Sequence, residues 1–154
     1  GERVIAEKTA TTGWLAPDDR FAAHRISAGI PEQGPDFGID QNFAHDIGLD
    51  LLDGIDFIKG CYIGQEVVSR MKHRGTARRR PVIVSGIDAP AGTPVVAGGR
   101  DAGPIGEVVD GRAVAIVRLD RITDPAAVSV GGKPVTVTLP PYAGYQFGEA
   151  TNED

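Results

Sequence analysis

Residues 81–119 read PVIVSGIDAPAGTPVVAGGRDAGPIGEVVDGRAVAIVRL. Four short runs, PVIVSGI, PVVAGG, PIGEVV and AVAIVRL, are rich in Val and Ile and are separated by Gly, Pro and Asp. β-branched residues suit a pleated, half-buried surface, and the intervening residues supply turns. The texture continues through AVSV and PVTVTL to Leu139. Asp110-Gly111 and Gly131-Gly132 are two-residue hairpin signals. Short strands at this spacing predict a small antiparallel β-barrel. The polar tail from Phe147 to Asp154 is expected to fray.

Upstream the pattern changes. Ile63, Val67 and Met71 recur at helical spacing, and Glu66, Arg70 and Arg74 form a second stripe. The spacing predicts a helix from Ile63 to His73, with Gly75 closing it and a Glu66–Arg70 ion pair along one face. Pro17-Asp18-Asp19 predicts the start of an earlier helix that runs through Phe21, Ala22 and Ile26 to Gly29 and stops at Pro31. Glu2 to Trp14 reads as a strand, Glu32 to Phe43 as a long loop, and Ile55 to Ile58 as a short strand. The chain opens on GERVIAEKTATTGW, already inside a strand-like stretch and without Met, and is expected to be a fragment.

The composition, 41% hydrophobic and 24% charged, is that of a globular protein with a core. The net charge of −5 argues against general nucleic-acid binding. Residues 59–80 hold seven Lys or Arg and one acid, so that segment is +6 and the rest of the chain is −11. A local positive field suits an anionic small molecule or an acidic partner; a solvated basic face is the plainer reading. Arg78 to Arg80 read as such a solvated start to a strand. One cysteine forms no internal disulfide, and no apolar run approaches membrane length, so the chain is expected to be cytoplasmic and not membrane-bound.

That cysteine, Cys61, lies in KGCYIGQE, residues 59–66, at the mouth of the basic segment. If the helix starts near Ile63, Cys61 sits at its positive end, where a thiolate is stabilised, and Lys59 and the downstream arginines add to the effect. Gly60 and Gly64 remove bulk on both sides. Such a sulfur serves as a nucleophile, a redox-sensitive thiol or a soft-metal ligand; the alternative is an inert, buried cysteine packing as a small hydrophobe. Three scattered His and one Cys, without a CxxC, do not make a complete metal site, which leaves open a ligand shared with another molecule.

KGCYIGQEVVSRMKHRG resembles the signature of the YgfZ-type folate-binding proteins, relatives of glycine-cleavage aminomethyltransferase. Lys59, Gly60, Cys61, Tyr62, Gly64, Gln65 and Glu66 match its K-G-C-[FY]-x-G-Q-E core, and Arg70 and Arg74-Gly75 fit its continuation. Arg25, Gly29, Ile30 and Pro31 resemble the family's Arg-x-x-x-Gly-[IL]-Pro element. The resemblance implies an α+β fold: a partial α/β (ferredoxin-like) subdomain over 1–75, an antiparallel β-barrel over 76–146 and a tail over 147–154. It implies tetrahydrofolate binding, with Lys59, Tyr62, Gln65, Glu66, Arg70, Arg74 and Arg25 as candidate contacts. It also implies a role in iron–sulfur cluster assembly or repair through Cys61, as a thiolate or a shared ligand of a transient cluster. The implied partners are folate, iron–sulfur assembly or client proteins, and the missing N-terminal portion of its own chain. Two alternatives differ in class: a folate-dependent aminomethyltransferase, and a non-enzymatic cluster-carrier module. Against the first, the acidic residue that the transferase carries for folate in its R-L-E-x-G element falls at Ser27 here.

Overall fold

A computed structural model describes residues 6–12, 19–74 and 77–148. Two helices, α1 (Asp19–Ser27) and α2 (Gln65–Arg74), precede seven strands. These are β1 (Arg79–Ser85), β2 (Pro94–Ala97), β3 (Arg100–Pro104), β4 (Arg112–Arg118), β5 (Val128–Val130), β6 (Lys133–Pro134) and β7 (Thr136–Thr138). All pairings between the strands are antiparallel, in two sheets of order β4-β1-β7 and β3-β2-β5-β6. An isolated bridge, Ile105 to Ala115, links the two. The expected α+β class and barrel-type second half are present. The described residues of the first half supply the helices of the α/β expectation and no strand.

The hairpins follow the turn chemistry. Asp110 and Gly111 have φ of 50° and 68°, and Gly131 and Gly132 have 59° and 79°, the left-handed pair that a two-residue hairpin loop requires. Gly98-Gly99 makes a third such turn between β2 and β3. It pulls β3 forward to Arg100–Pro104, so the strand expected over PIGEVV survives only as single bridges at Ile105 and Val109.

One packed core fills the space between the sheets. Val82 and Val84 of β1, Val95 of β2 and Val117 of β4 are fully buried in one cluster with Ile105 and Ile122. β4 is buried on both faces. Ala113, Ala115 and Val117 point into that cluster, whereas Val114 and Ile116 are buried outside it, on the side where α1 packs. This is why AVAIV is continuously apolar rather than alternating.

Helix α1 ends in a Schellman arrangement: Ile30 N–H donates to the Arg25 carbonyl and Gly29 N–H to that of Ile26. Gly29 has φ 68°, and a Cβ there would lie 2.8 Å from the Pro140 ring. The residue is therefore required twice, for backbone and for space. Tyr142 Oη donates to the Gly29 carbonyl at 2.6 Å and ties the helix end to the barrel.

Three local expectations change. Ile55 to Ile58 is irregular, with Asp56 Oδ1 accepting from Ile58 N–H and Lys59 N–H at 2.8 and 3.0 Å, a side-chain turn in place of a strand. Of the strand expected from Glu2 to Trp14, Lys8–Thr11 is a 3-10 turn and the remainder lies largely outside the described residues. Pro17, Asp18 and Gly75 also lie outside them.

Candidate functional site

Cys61 is exposed. It does not sit at the helix edge. Gly64 has φ 88°, which interrupts helical backbone, and α2 begins at Gln65, four residues past the thiol. The sulfur is carried on an irregular loop from Gly54 to Gly64. Apart from the adjoining residues, no atom lies within 4 Å of where a Cβ on Gly60 or Gly64 would stand, so the chain around Cys61 is open on both sides. The Lys59 ammonium lies 4.9 Å from the centroid of the half-buried Tyr62 ring. The Tyr62 carbonyl accepts from Gln65 N–H at 3.2 Å, which joins the loop to the helix. Ile58 and Ile63, either side of the thiol, are fully exposed at 97% and 104%.

Along α2 the expected Glu66–Arg70 pair is present at 2.6 Å and exposed. The expected apolar stripe is not buried: Val67 is 43% exposed and Met71 partly so. Arg74 is the last residue of the helix.

Arg25 lies elsewhere. Its side chain is 4% exposed and is held by the Ile30 carbonyl at 2.9 Å, by Asp36, and by Glu107 Oε2 at 3.1 Å. Glu32 Oε2 stands 3.1 Å from its Nε. Asp36 also accepts from Glu32 N–H at 2.8 Å and Glu107 N–H at 3.1 Å. This cluster ties α1 and its following loop to the barrel. Of the candidate contacts, Lys59 and Tyr62 meet beside Cys61, Glu66 and Arg70 pair on α2, and Arg25 is taken up in the fold.

Sequence reasoning missed a cavity of about 500 Å³ between α2 and the first barrel strand. Phe43, Val67 and Met71 form its apolar wall, and Arg70, Arg78 and Arg79 its cationic side. Asp46 also lines it, buried, with its carboxylate accepting from Phe43 N–H at 3.0 Å. Burial pushes the Asp46 carboxyl above its ordinary range, against the opposing pull of that hydrogen bond and of Arg79 and Arg80. A second cavity of about 270 Å³ shares Gln41 and Arg79 with the first and reaches Phe37, Pro104 and Ile116. The basic run was visible in the sequence; its convergence with Phe43 and Asp46 depends on a loop crossing that no local pattern signals.

Arg80 corrects the reading of 78–80 as a solvated segment. It makes a two-pronged pair with Asp50 at 2.7 and 3.0 Å and donates to the His45 carbonyl at 2.7 Å. His45 is 2% exposed, and neither ring nitrogen has a hydrogen-bond partner. Desolvation lowers its pKa, opposed by Asp50 and Asp46 and assisted by Arg80. Among the described residues no group of three or more His, Cys, Asp or Glu is placed to hold a metal ion. No helix among them is long and apolar enough to cross a membrane.

Residues 77–145 match the family described as CAF17, C-terminal beta-barrel domain. The chain is 38% identical over 85 residues to the mitochondrial iron–sulfur cluster assembly factor IBA57 homolog of Neurospora crassa, covering 52% of this chain and 19% of that protein. It is 32% identical over 120 residues to human mitochondrial IBA57, covering 62% and 33%. With the mouse protein the identity is 30% over 142 residues, 77% of this chain and 40% of the relative. The chain belongs to the YgfZ-type family. It spans well under half the length of each of these relatives. A crystal structure of glycine cleavage system aminomethyltransferase T from Bartonella henselae is similar at TM-score 0.49 and 15% identity, over 80% of this chain and 38% of that one. The family members named here overturn the cytoplasmic expectation, since they are mitochondrial proteins. A single thiol and the lack of a long apolar run do not separate one reducing compartment from another, so the sequence argument had no power to choose.

Proposed function

We propose that this chain supplies one thiolate ligand, from Cys61, to an iron–sulfur cluster that is completed by a partner protein during cluster assembly or repair. The observation that carries the reading is the open placement of Cys61 together with the lack of a metal-holding group among the described residues. A site with one protein thiolate binds a cluster only by sharing it, and sharing requires a sulfur that a second protein can reach. Binding releases the thiol proton and changes no oxidation state. The IBA57 relatives, named as cluster assembly factors, support the same role.

A tetrahydrofolate-class ligand beside the same loop is the finer part of the proposal. The open backbone at Gly60 and Gly64 leaves room for a flat heterocycle, and the exposed Lys59 ammonium suits its carboxylate tail. The aminomethyltransferase alternative finds no carboxylate at Ser27, whose hydroxyl instead donates to the His24 carbonyl at 2.7 Å.

The test is to mix the chain with a cluster-loaded iron–sulfur carrier and follow visible absorption. A thiolate-to-iron band that appears with the wild type and is lost in Cys61→Ser supports the reading. Identical spectra from the two contradict it. Protection of Cys61 from alkylation by added tetrahydrofolate tests the folate part separately; an unchanged alkylation rate removes it.

A further inference from the structure

We propose that the groove between α2 and the start of the barrel docks an acidic segment of a partner protein that carries an apolar or aromatic anchor. The two cavities, about 500 and 270 Å³, share Gln41 and Arg79 in their walls, so they adjoin along one face. Adjoining hollows along one face fit a chain segment better than a compact ligand.

The groove's chemistry is complementary to such a segment. Phe43 is 58% exposed and Val67 43% exposed, although both line a concave surface beside Met71. Apolar side chains left open in a concavity are anchor sites. Arg70, Arg78 and Arg79 border this wall. Two acids line the groove and neither is free: Asp46 is buried with its carboxylate turned onto the Phe43 N–H, and Asp36, in the smaller cavity, has a side chain 1% exposed and paired with Arg25, so they present little negative charge to an incoming chain. Arg70 is held by Glu66 in an exposed pair, which is weak enough to exchange for an incoming carboxylate. The positive segment lies within an acidic chain, so attraction is focused on this face instead of spread over the surface.

This inference goes beyond the cluster reading and does not depend on it. Docking is measured without iron, and its failure leaves the ligand role of Cys61 standing. A fluorescein-labelled synthetic peptide of glutamates around one phenylalanine is titrated with the chain and followed by anisotropy. The proposal expects saturable binding that weakens with salt and is lost when lysines replace the glutamates. Arg79→Glu, in the wall shared by both cavities, weakens it on the order of tenfold or more. Phe43→Ser weakens it in a peptide-specific way, with no effect on a variant peptide that has serine for phenylalanine. Arg100→Glu makes the same charge change on an exposed β3 residue outside the groove and leaves binding nearly unchanged. Circular dichroism of each variant verifies folding, and Arg79→Gln gives the same ranking with a smaller change. The proposal is overturned if the wild type does not bind, or if Arg100→Glu weakens binding as much as Arg79→Glu. It also falls if the chain dimerises through this face and Arg79→Glu returns it to a monomer, because the groove is then a self-interface.

Discussion

The barrel and the segment around Cys61 are built from similar residues and treat them in opposite ways. Val82, Val84, Val95 and Val117 are fully buried, whereas Ile58 and Ile63 are fully exposed. In the barrel, strand alternation directs every second side chain into one packed cluster, and hairpin turns hold the register. The loop from Gly54 to Gly64 has neither alternation nor a ladder, and Ile58 and Ile63 face outward on either side of the thiol. The difference separates what the chain needs in order to fold from what it offers to other molecules.

The largest way to break that contrast is at the join. Arg25→Ala leaves Asp36, whose side chain is 1% exposed, without its cation. Breaking one side of a buried ion pair costs about 3–5 kcal/mol, and urea unfolding is expected to show a loss of that order. A loss below about 1 kcal/mol would mean that the cluster does not bind α1 to the barrel. Next comes the core itself. Ile105→Ala, in the strand bridge between the sheets, is expected to cost about 3 kcal/mol through lost burial and a residual cavity. The matching change outside, Ile63→Ala, is expected to stay within about 0.5 kcal/mol. Equal losses at the two positions would erase the distinction between sealed and open regions.

A pH scan sharpens the boundary between them. The His45 ring is buried with neither nitrogen hydrogen-bonded, and its folded pKa lies below the ordinary 6.5. The unfolded chain therefore binds the proton first. The stabilising effect of a neutral His45 is present above pH 6.5 and is lost as pH falls through that value toward the folded pKa. Asp46, raised above its ordinary 3.8, acts in the opposite direction: the folded form takes up its proton first, so stability is regained as pH falls toward 3.8. Thermal melts of the wild type and His45→Gln are expected to converge as pH drops from 7 toward 5, because the variant lacks the histidine slope. Parallel curves would show that His45 does not titrate with folding. The smallest expected effect is Cys61→Ser, within about 0.5 kcal/mol, because the residue is exposed. A loss of several kcal/mol in a chemical melt would make it a core residue.

The hairpins, the barrel-type half and α2 were legible because local rules and the final structure agree there. Asp110-Gly111 is a turn in sequence and in space, and Glu66–Arg70 needs only its own helix. The exposure of Cys61 was legible too, though its placement at a helix end was not: Gly64 takes a left-handed conformation that moves the helix start to Gln65. The fate of the arginines was hidden. Arg25, Arg79 and Arg80 look alike in sequence, yet one is buried among carboxylates, one lines a groove and one grips Asp50. Decisive partners are remote in sequence, with Glu107 82 residues from Arg25 and Asp50 30 residues from Arg80, so only tertiary contact distinguishes them. The compartment was illegible for a different reason, since nothing in a folded core records where it works.

The most direct measurement is the alkylation rate of Cys61 by a small iodoacetamide reagent, in the native chain and in urea at the same pH. An outward, unobstructed sulfur reacts at nearly the same rate in both states. Strong protection in the native chain, released only on unfolding, would contradict the account and leave Cys61 without the access that a shared cluster demands.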